Sequence, residues 1–383
     1  MSMYDVRPES ETYVKIARTI AHDACVNSAS NVDEAATFPE QALAALRESG
    51  LMGLCIPTEL GGKGQGPRTF AAVVDELAQA CGSSAMIYVM HVAATQCLIA
   101  SGRHADILRS IAAGKHLTTL AFSEAGSRSN FWLPASRLEA RGTGFVTNAK
   151  KSWVTSANHA DSYVCSVQNV GAASPLESAI YLATTKTPTV KVAGRFNGLG
   201  LRGNDSAPVV IENHPVADAD LLCPQGKGLE MMLQVVLPWF AIGTSAMAVG
   251  LCTAAINATA AHLSSAGMDS GAKLRDLPNL RARLAEMSVR TEQARALLAY
   301  TISQMENPSA TTPLYVLQTR LAALQAAVDV TDIAMKTCGG AAFSKHLPVE
   351  RLFRDARAGW VMAPTVDHLQ DFIGKALTGL PLI

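Results

Sequence analysis

The chain changes its hydrophobic period twice, and this change restricts the possible folds more than any other feature of the sequence. Up to about residue 117, apolar residues recur at helical spacing. Residues 118–226 instead contain short β-branched segments that alternate with period two and are separated by turn residues. From residue 228 onward the helical period returns. Helices on both sides of a run of strands predict a β domain between two helical domains.

The C-terminal part contains four long segments with helical period, which predict a bundle: 229–264, 277–305, 311–338 and 360–377. The first of them includes a long uncharged run, Met231–Ala261, that could span a membrane on length alone. Its Gln234 and Asn257, and its many alanines, favour a helix buried inside a bundle. We therefore expect mostly α structure and no membrane span.

Charge and cysteine usage exclude several classes of function. Lys and Arg total 32, as do Asp and Glu, and no long run of one sign occurs, which argues against nucleic acid as a partner. The eight cysteines are scattered without a CxxC pair, which indicates free thiols in a reducing compartment and no metal site. The N-terminus, MSMYDVRPESE, is polar and acidic, unlike a secretory signal. We expect a cytoplasmic protein.

Two segments of the β region combine turn residues with groups that could hold a ligand. AFSEAGSRSN, at 121–130, offers hydroxyls and backbone N–H groups, although an ordinary polar turn has the same composition. KKSWVTSANHAD, at 150–161, places Trp153 and Thr155 two residues apart, so they share one face of a strand. A Trp ring beside a hydroxyl could stack on a flat ligand, and a core Trp is an equally good interpretation.

Two further segments are rich in turn residues. LGLRGNDS, at 199–206, lies between the last two predicted strands of the β region. Arg202 and Asp205 could form an ion pair within it. CGGAAF, at 338–343, precedes PVERLFRDAR, and its Gly pair ends a helix and permits close backbone approach. Each segment could also be only a structural turn.

In order and spacing, these segments resemble the acyl-CoA dehydrogenase family of flavoproteins along nearly the whole chain. IPTELGGKGQG, at 56–66, resembles a further motif of that family, the loop P-x-x-x-GG-x-G. The resemblance implies an N-terminal helical domain over 1–117, a central antiparallel β-barrel domain over 118–227 and a C-terminal four-helix bundle over 228–383. It also implies FAD as cofactor, an acyl-CoA or related acyl thioester as substrate, and a homo-oligomer, with a heteromer left open.

The same resemblance implies eight residues in contact with FAD: Phe122, Ser123, Ser129, Trp153, Thr155, Gly339, Gly340 and Thr365. Trp153 would cover one face of the isoalloxazine, and Thr155 would bond near its N5 atom. Ser129 would lie near the pyrophosphate or the pantetheine of the substrate. Gly339 and Gly340 would lie against the adenosine of the FAD of a neighbouring subunit.

The chain departs from the family at the catalytic base. The family's usual dehydrogenases carry a Glu soon after an Arg-Asp-Ala sequence, and it removes the α-proton while the β-hydride passes to the flavin. Here Ala363 occupies that place, and it could bind substrate only through its backbone N–H. Some members carry the Glu on the first bundle helix instead, where this chain has Phe240 and Ala241. Asp367, about one helical turn past Ala363, is a weak candidate base, because a solvated helix position explains it more simply.

Three functions therefore remain open at the level of the sequence. The first is oxidation of the α,β bond of an acyl thioester, as in the family. The second is a flavin-dependent monooxygenase or oxidase on the same fold, which needs no base at Ala363. The third is a non-catalytic subunit of a heteromeric acyl-CoA dehydrogenase.

Overall fold

The structure is a computed structural model that describes residues 3–267, 269 and 271–383. Its N-terminal helices are α1 (Glu11–Ile20), α2 (Ala29–Glu34), α3 (Glu40–Glu48), α4 (Pro67–Ala80), α5 (Gly82–Ser101) and α6 (Ala105–Ala112). Gly50, two residues past the end of α3, has the left-handed conformation, with φ of 75°, that is typical of a glycine after a helix C-terminus. α5 is buried on nearly all sides, because its sequence has no charged face to turn toward water.

The central region consists of seven strands: β1 (Thr118–Ala121), β2 (Leu138–Arg141), β3 (Gly144–Val154), β4 (Ser162–Gln168), β5 (Ser178–Thr184), β6 (Val190–Val192) and β7 (Ala207–Val216). They form a three-stranded sheet in the order β1-β4-β5 and a four-stranded sheet in the order β2-β3-β7-β6.

Two details of the predicted antiparallel barrel are wrong. The described strands form two separate sheets and no closed barrel, and β1 pairs with β4 in parallel. The parallel pair arises because β2 and β3, which lie between β1 and β4 in the chain, belong to the other sheet. The chain therefore leaves the first sheet and returns to it in the same direction, which a hairpin cannot do.

The C-terminal region is helical, as predicted. Its elements are α7 (Gly228–Met231), a π-helical turn (Met232–Val236), α8 (Leu237–Ser265), α9 (Pro278–Glu306), α10 (Thr312–Cys338), α11 (Gly340–Phe343), α12 (Val349–Val361) and α13 (Val366–Thr378). The prediction of one helix over 360–377 is wrong, because α12 ends at Val361 and α13 begins at Val366. Pro364 has no N–H for a helical hydrogen bond, so the chain turns between them.

Two helical stretches in the described chain are long and apolar enough to cross a membrane by length and composition alone. They are Gly82–Ser101 and Gly228–Ser265, and 83% of the most apolar window of each is buried inside the protein. α8 packs against α4, α9 and α10, and α5 packs against β1 and α4. The burial supports core helices, as predicted for the second stretch.

The loop from Phe196 to Ser206 connects all three regions. Arg202 does not pair with Asp205 as predicted: its Nε donates to the Asp33 carbonyl at 2.8 Å. Asp205 instead accepts from the Asn158 backbone N–H at 2.7 Å. The prediction failed because the spacing of residues within the loop does not reveal that Asp33 of α2 lies next to Arg202.

The Arg-Asp-Ala sequence in α12 anchors this loop. Arg354 forms an ion pair with Asp33 and donates to the Leu199 carbonyl at 3.0 Å. Asp355 accepts from the Leu201 N–H at 2.6 Å. A Cβ atom at Gly200 would lie 2.4 Å from the Arg354 carbonyl oxygen, so only glycine permits this approach. α12 is thereby held against both other regions, where a large cavity lies.

Candidate active site

A cavity of about 860 Å³ lies where the three regions meet. Met86 and Met90 of α5 line it from the N-terminal region, and Phe240 and Ala358 line it from α8 and α12. The β region contributes residues from β1, β3 and the loops beside them. The volume falls within the range of cofactor and ligand sites.

Trp153 presents its ring to this cavity because β3 is irregular there. The pairing of β3 with β7 shifts between Lys151 and Val154, and Trp153 has a φ of 57°. Its side chain is 67% exposed, whereas Thr155 is 3% exposed, and both line the cavity. The Thr155 hydroxyl lies 3.1 Å from that of Ser206. Trp153 and Thr155 therefore line the same cavity, as the sequence suggested. The irregularity of β3, and not the regular alternation of a strand, places them there.

The loop after β1 forms the next part of the same wall. Phe122, Ser123, Ser127 and Ser129 line the cavity, and Arg128 extends to solvent at its edge. Ser129 has a φ of 67°, so the chain reverses there. The structure thus brings together five of the eight residues predicted to contact the cofactor.

A buried ion pair supports this wall. Lys151 Nζ lies 2.5 Å from Glu124 Oε1 and also donates to the Ser166 carbonyl at 2.8 Å. Glu124 further accepts from the Ser136 N–H at 2.7 Å and from its hydroxyl at 2.7 Å. Burial alone would raise the pKa of Glu124, but the Lys151 ammonium and the Ser136 donors hold this pKa below its ordinary value. The Glu124 carboxylate is therefore ionised, and both of its oxygens accept hydrogen bonds within the protein.

The bundle wall contains the turn between α12 and α13, which we call the Ala363 turn (Met362–Pro364). All three residues line the cavity. No acceptor for the Ala363 N–H occurs among the described residues. Of the side chains that line the cavity in the described chain, Glu124 carries the only carboxylate, and none is a histidine. The described residues therefore provide no free general base at the Ala363 turn.

Arg320 of α10 lies directly behind the Ala363 turn and is fully buried. Its guanidinium donates to the Thr244 hydroxyl at 2.6 Å and to the Met362 carbonyl at 3.0 Å, and it lies over the Phe240 ring at 4.5 Å. No carboxylate pairs with it among the described residues. Burial lowers the pKa of Arg320 to about 9, so it remains charged at pH 7.

Four predicted site residues do not line the cavity. Gly339 ends α10 with a φ of 55°, and a Cβ atom at Gly339 or Gly340 would meet nothing within 4 Å. Thr365 directly precedes α13, and its hydroxyl accepts from the His368 N–H at 3.4 Å. Asp367 is exposed on α13 and forms no part of the cavity wall. The predicted contacts of the first three involve a neighbouring subunit and stay predictions, whereas the position of Asp367 gives its candidate role no support.

Other residues at the site carry little signal in the sequence. Arg320 is followed by the mostly apolar run Leu321–Val328, but an arginine in a helix is ordinarily solvated, so its burial could not be inferred. Lys151 and Glu124 lie 27 residues apart, and only the return of β3 alongside the β1 loop joins them. The side chains of Met86 and Met90 are indistinguishable in the sequence from core residues.

Comparison with known proteins agrees with this fold. The model of the acyl-CoA dehydrogenase N-terminal domain matches residues 7–114, and that of the C-terminal domain matches residues 226–377. The mitochondrial short-chain specific acyl-CoA dehydrogenase of Bos taurus is 26% identical over 333 residues, covering 86% of this chain and 80% of that protein. The chain belongs to the acyl-CoA dehydrogenase family.

Two solved structures share the fold closely. Butyryl-CoA dehydrogenase from Megasphaera elsdenii superposes with a TM-score of 0.92 at 18% identity, covering 98% of this chain and 99% of that one. The prolyl acyl carrier protein oxidase AnaB superposes with a TM-score of 0.88 at 21% identity, covering 97% and 99%. At these identities the likeness concerns the fold alone.

Family members are flavoprotein oxidoreductases that act on CH–CH groups, and the cofactor of this chain is FAD. The residues of the cavity fit that group. The exposed ring of Trp153 offers a face for a flat ring system, and the Ser123 and Thr155 hydroxyls can bond its polar edge. The predicted departure from the family, Ala363 in place of a catalytic Glu, falls at the Ala363 turn of the bundle wall and stays a prediction.

Proposed function

We propose that this chain is an FAD-dependent oxidoreductase that acts on an acyl-CoA or a related acyl thioester bound in the cavity beside the Ala363 turn. The observation that supports it most is the exposed Trp153 ring, which lies in a cavity lined by hydroxyls from the β region and by apolar side chains of the bundle. FAD, when bound, accepts a hydride equivalent from the substrate. Relatives that bear acyl-CoA names support the substrate class.

The proposed cofactor contacts follow the two walls. Phe122, Ser123, Trp153 and Thr155 would hold the flavin ring, and Ser129 would bind the pyrophosphate or the pantetheine. Gly339, Gly340 and Thr365 would contact the adenosine part of FAD across a subunit interface. Their position outside the cavity wall is consistent with a role toward another copy of the chain.

The substrate would contact the chain through one polar group and several apolar ones. The Ala363 N–H has no partner in the described chain and can donate to a thioester carbonyl oxygen. Met86, Met90 and Phe240 offer the apolar surface that an acyl chain requires. In this arrangement the N–H fixes the thioester end, and the apolar wall holds the chain.

Oxidation of the α,β bond also requires that the α-proton be removed. The only cavity-lining carboxylate in the described chain, Glu124, is held by Lys151 and Ser136, so it cannot serve. We infer that, if α,β oxidation takes place, the α-proton leaves to water, and the rate lacks the roughly 10²–10⁴-fold contribution of a positioned base.

This absence favours a second candidate, a flavin-dependent monooxygenase or oxidase. Such a reaction does not require loss of an α-proton to a residue at position 363. The structural likeness to an enzyme named as an acyl carrier protein oxidase makes a carrier-bound acyl group a candidate substrate. A non-catalytic subunit would fit only if the chain fails to bind FAD or fails to turn over alone.

Absorbance during aerobic purification tests the cofactor. We expect a yellow protein with bound flavin, and about tenfold or greater loss of flavin retention in Trp153→Ala, because stacking on the ring is lost. Trp153→Phe is the matched control that keeps an aromatic face. A colourless wild-type protein that takes up no added FAD would overturn the proposal and favour the non-catalytic subunit.

Anaerobic mixing with a series of acyl-CoA esters then separates the two reactions. Bleaching of the flavin absorbance by any ester supports α,β oxidation. Oxygen uptake that depends on NAD(P)H, without bleaching by any ester, supports the monooxygenase instead. An oxidase takes its electrons from its own substrate, so bleaching by a carrier-bound acyl group but by no CoA ester supports the oxidase.

A further inference from the structure

Arg320 differs from two other buried charges of this protein. Buried Lys151 is paired with Glu124, and buried Asp75 is paired with Arg295. Arg320 is equally inaccessible, yet its hydrogen bonds go only to neutral oxygens, and its Nε has no partner. A buried charge without a counter-ion destabilises the folded protein. The groups that Arg320 contacts therefore indicate what the charge is for.

Its contacts converge on the Ala363 turn. One guanidinium nitrogen donates to the Met362 carbonyl at 3.0 Å and lies 3.4 Å from the Pro364 carbonyl. Phe240, which lies under the guanidinium, also lines the cavity. The turn and the ring therefore each contact the cation and line the cavity.

The Met362–Ala363 peptide contacts Arg320 and also lines the cavity. It is trans, so its carbonyl and its N–H point in opposite directions. Because the carbonyl faces Arg320, the Ala363 N–H faces away from it, and no acceptor for this N–H occurs in the described chain. A charged donor on the carbonyl polarises the peptide and strengthens its N–H as a donor.

We propose that Arg320 is a positioning residue that acts through the Met362–Ala363 peptide. It orients and polarises the Ala363 N–H, so that this group binds a substrate oxygen that carries or gains negative charge, such as the thioester oxygen during oxidation. The inference rests on the proposed function, because it requires an acyl thioester in the cavity. No carboxylate among the described residues pairs with Arg320, so its charge is not cancelled by an ion pair.

The carbonyl stretch of a bound thioester reports this polarisation directly. The probe is a butyryl-CoA analogue with sulfur in place of the β-carbon, which cannot be dehydrogenated, labelled with ¹³C at the thioester carbonyl. Difference infrared spectra are recorded with the full-length, FAD-loaded protein. We expect binding to wild type to lower the carbonyl frequency, and Arg320→Met to lose at least half of that shift and to bind about tenfold more weakly.

Two variants separate polarisation from a merely structural role. Arg320→Lys keeps a cation and should retain most of the frequency shift. Thr244→Val removes another partner of Arg320 but leaves its bond to Met362, so it should retain the full shift. If Arg320→Met does not fold, Arg320→Gln replaces it in the comparison with Arg320→Lys.

The outcomes are distinct for the two proposals. If the analogue binds and its carbonyl frequency is the same in wild type and in the variants without a cation, the role of Arg320 is overturned while the proposed function stands. If wild type binds FAD but no acyl thioester, the proposed substrate class fails, and the inference fails with it.

Discussion

Lys151 and Arg320 are both buried cations close to the same cavity, and they differ in what neutralises them. Lys151, in the β wall, forms a 2.5 Å ion pair with Glu124. Arg320, in the bundle wall, donates to a hydroxyl and to two backbone carbonyls and has no carboxylate among the described residues. The charge of the β wall is therefore balanced within the protein, whereas that of the bundle wall remains available to act on a ligand.

The two buried cations also differ in which part of the site they hold in position. The Glu124–Lys151 pair joins the loop after β1 to β3 and so fixes the positions of Ser123 and Trp153. Arg320 instead fixes a turn whose exposed group is a backbone N–H. We therefore expect damage to the first to affect folding, and damage to the second to affect chiefly the ligand.

The largest expected effect on stability is that of Glu124→Gln. It leaves the Lys151 ammonium buried without a counter-ion, so unfolding free energy should fall by about 3–5 kcal/mol. Urea or guanidinium denaturation measures the change. Lys186→Met, which removes an exposed partner of Asp161, is the control and should cost less than about 1 kcal/mol. If Glu124→Gln lowers the unfolding free energy by less than about 1 kcal/mol, the contrast between the structural role of Lys151 and the ligand-directed role of Arg320 is contradicted.

The next largest effect concerns catalysis at the Ala363 turn. Ala363→Glu places a carboxylate at the cavity wall, and we expect flavin bleaching by a suitable acyl-CoA to accelerate by about 100-fold. Ala363→Gln has nearly the same shape without a base and should show no acceleration. Anaerobic stopped-flow absorbance measures both rates. Equal rates in the two variants would mean that position 363 does not face the α-carbon.

A smaller effect is expected from Arg320→Met on stability. The substitution leaves the Met362 carbonyl and the Thr244 hydroxyl without this donor, which should cost about 1–3 kcal/mol. The cost should remain below that of Glu124→Gln, because no charge is left unpaired and the burial of a cation is relieved. Denaturation of the two variants under identical conditions makes the comparison. A larger loss for Arg320→Met would show that its role is mainly structural.

The smallest expected effect is on the pH dependence of stability. The pKa of Glu124 is lowered in the folded protein, against about 4.3 when unfolded, so its contribution is present above about pH 4.3 and is lost as pH falls through the folded value. The net effect is modest because burial opposes the attraction of Lys151. Glu124→Gln should therefore lose less stability than wild type on acidification below about pH 4.3. Parallel loss in both proteins would contradict this assignment.

Much of the fold followed from periodicity alone, and the errors have common physical origins. The helical regions and the intervening strands were correct because period and turn residues are local properties. The barrel and the Arg202–Asp205 pair were wrong because each depends on which distant segments meet. The break between α12 and α13 was missed, although Pro364 marks it, because the helical period continues across the turn.

The sequence by itself determined the order of the three regions, the family and the presence of an alanine, which has no carboxylate, at position 363, since each depends on residue identity and spacing. Only the tertiary structure decided that the Trp153 ring faces a cavity, that Glu124 is neutralised by Lys151, and that Arg320 lies unpaired behind the Ala363 turn. These are properties of burial and of distance between segments far apart in the chain. The sequence does not indicate whether a charged side chain is solvated, paired or buried without a counter-ion. Only the packing of the folded chain distinguishes these three environments.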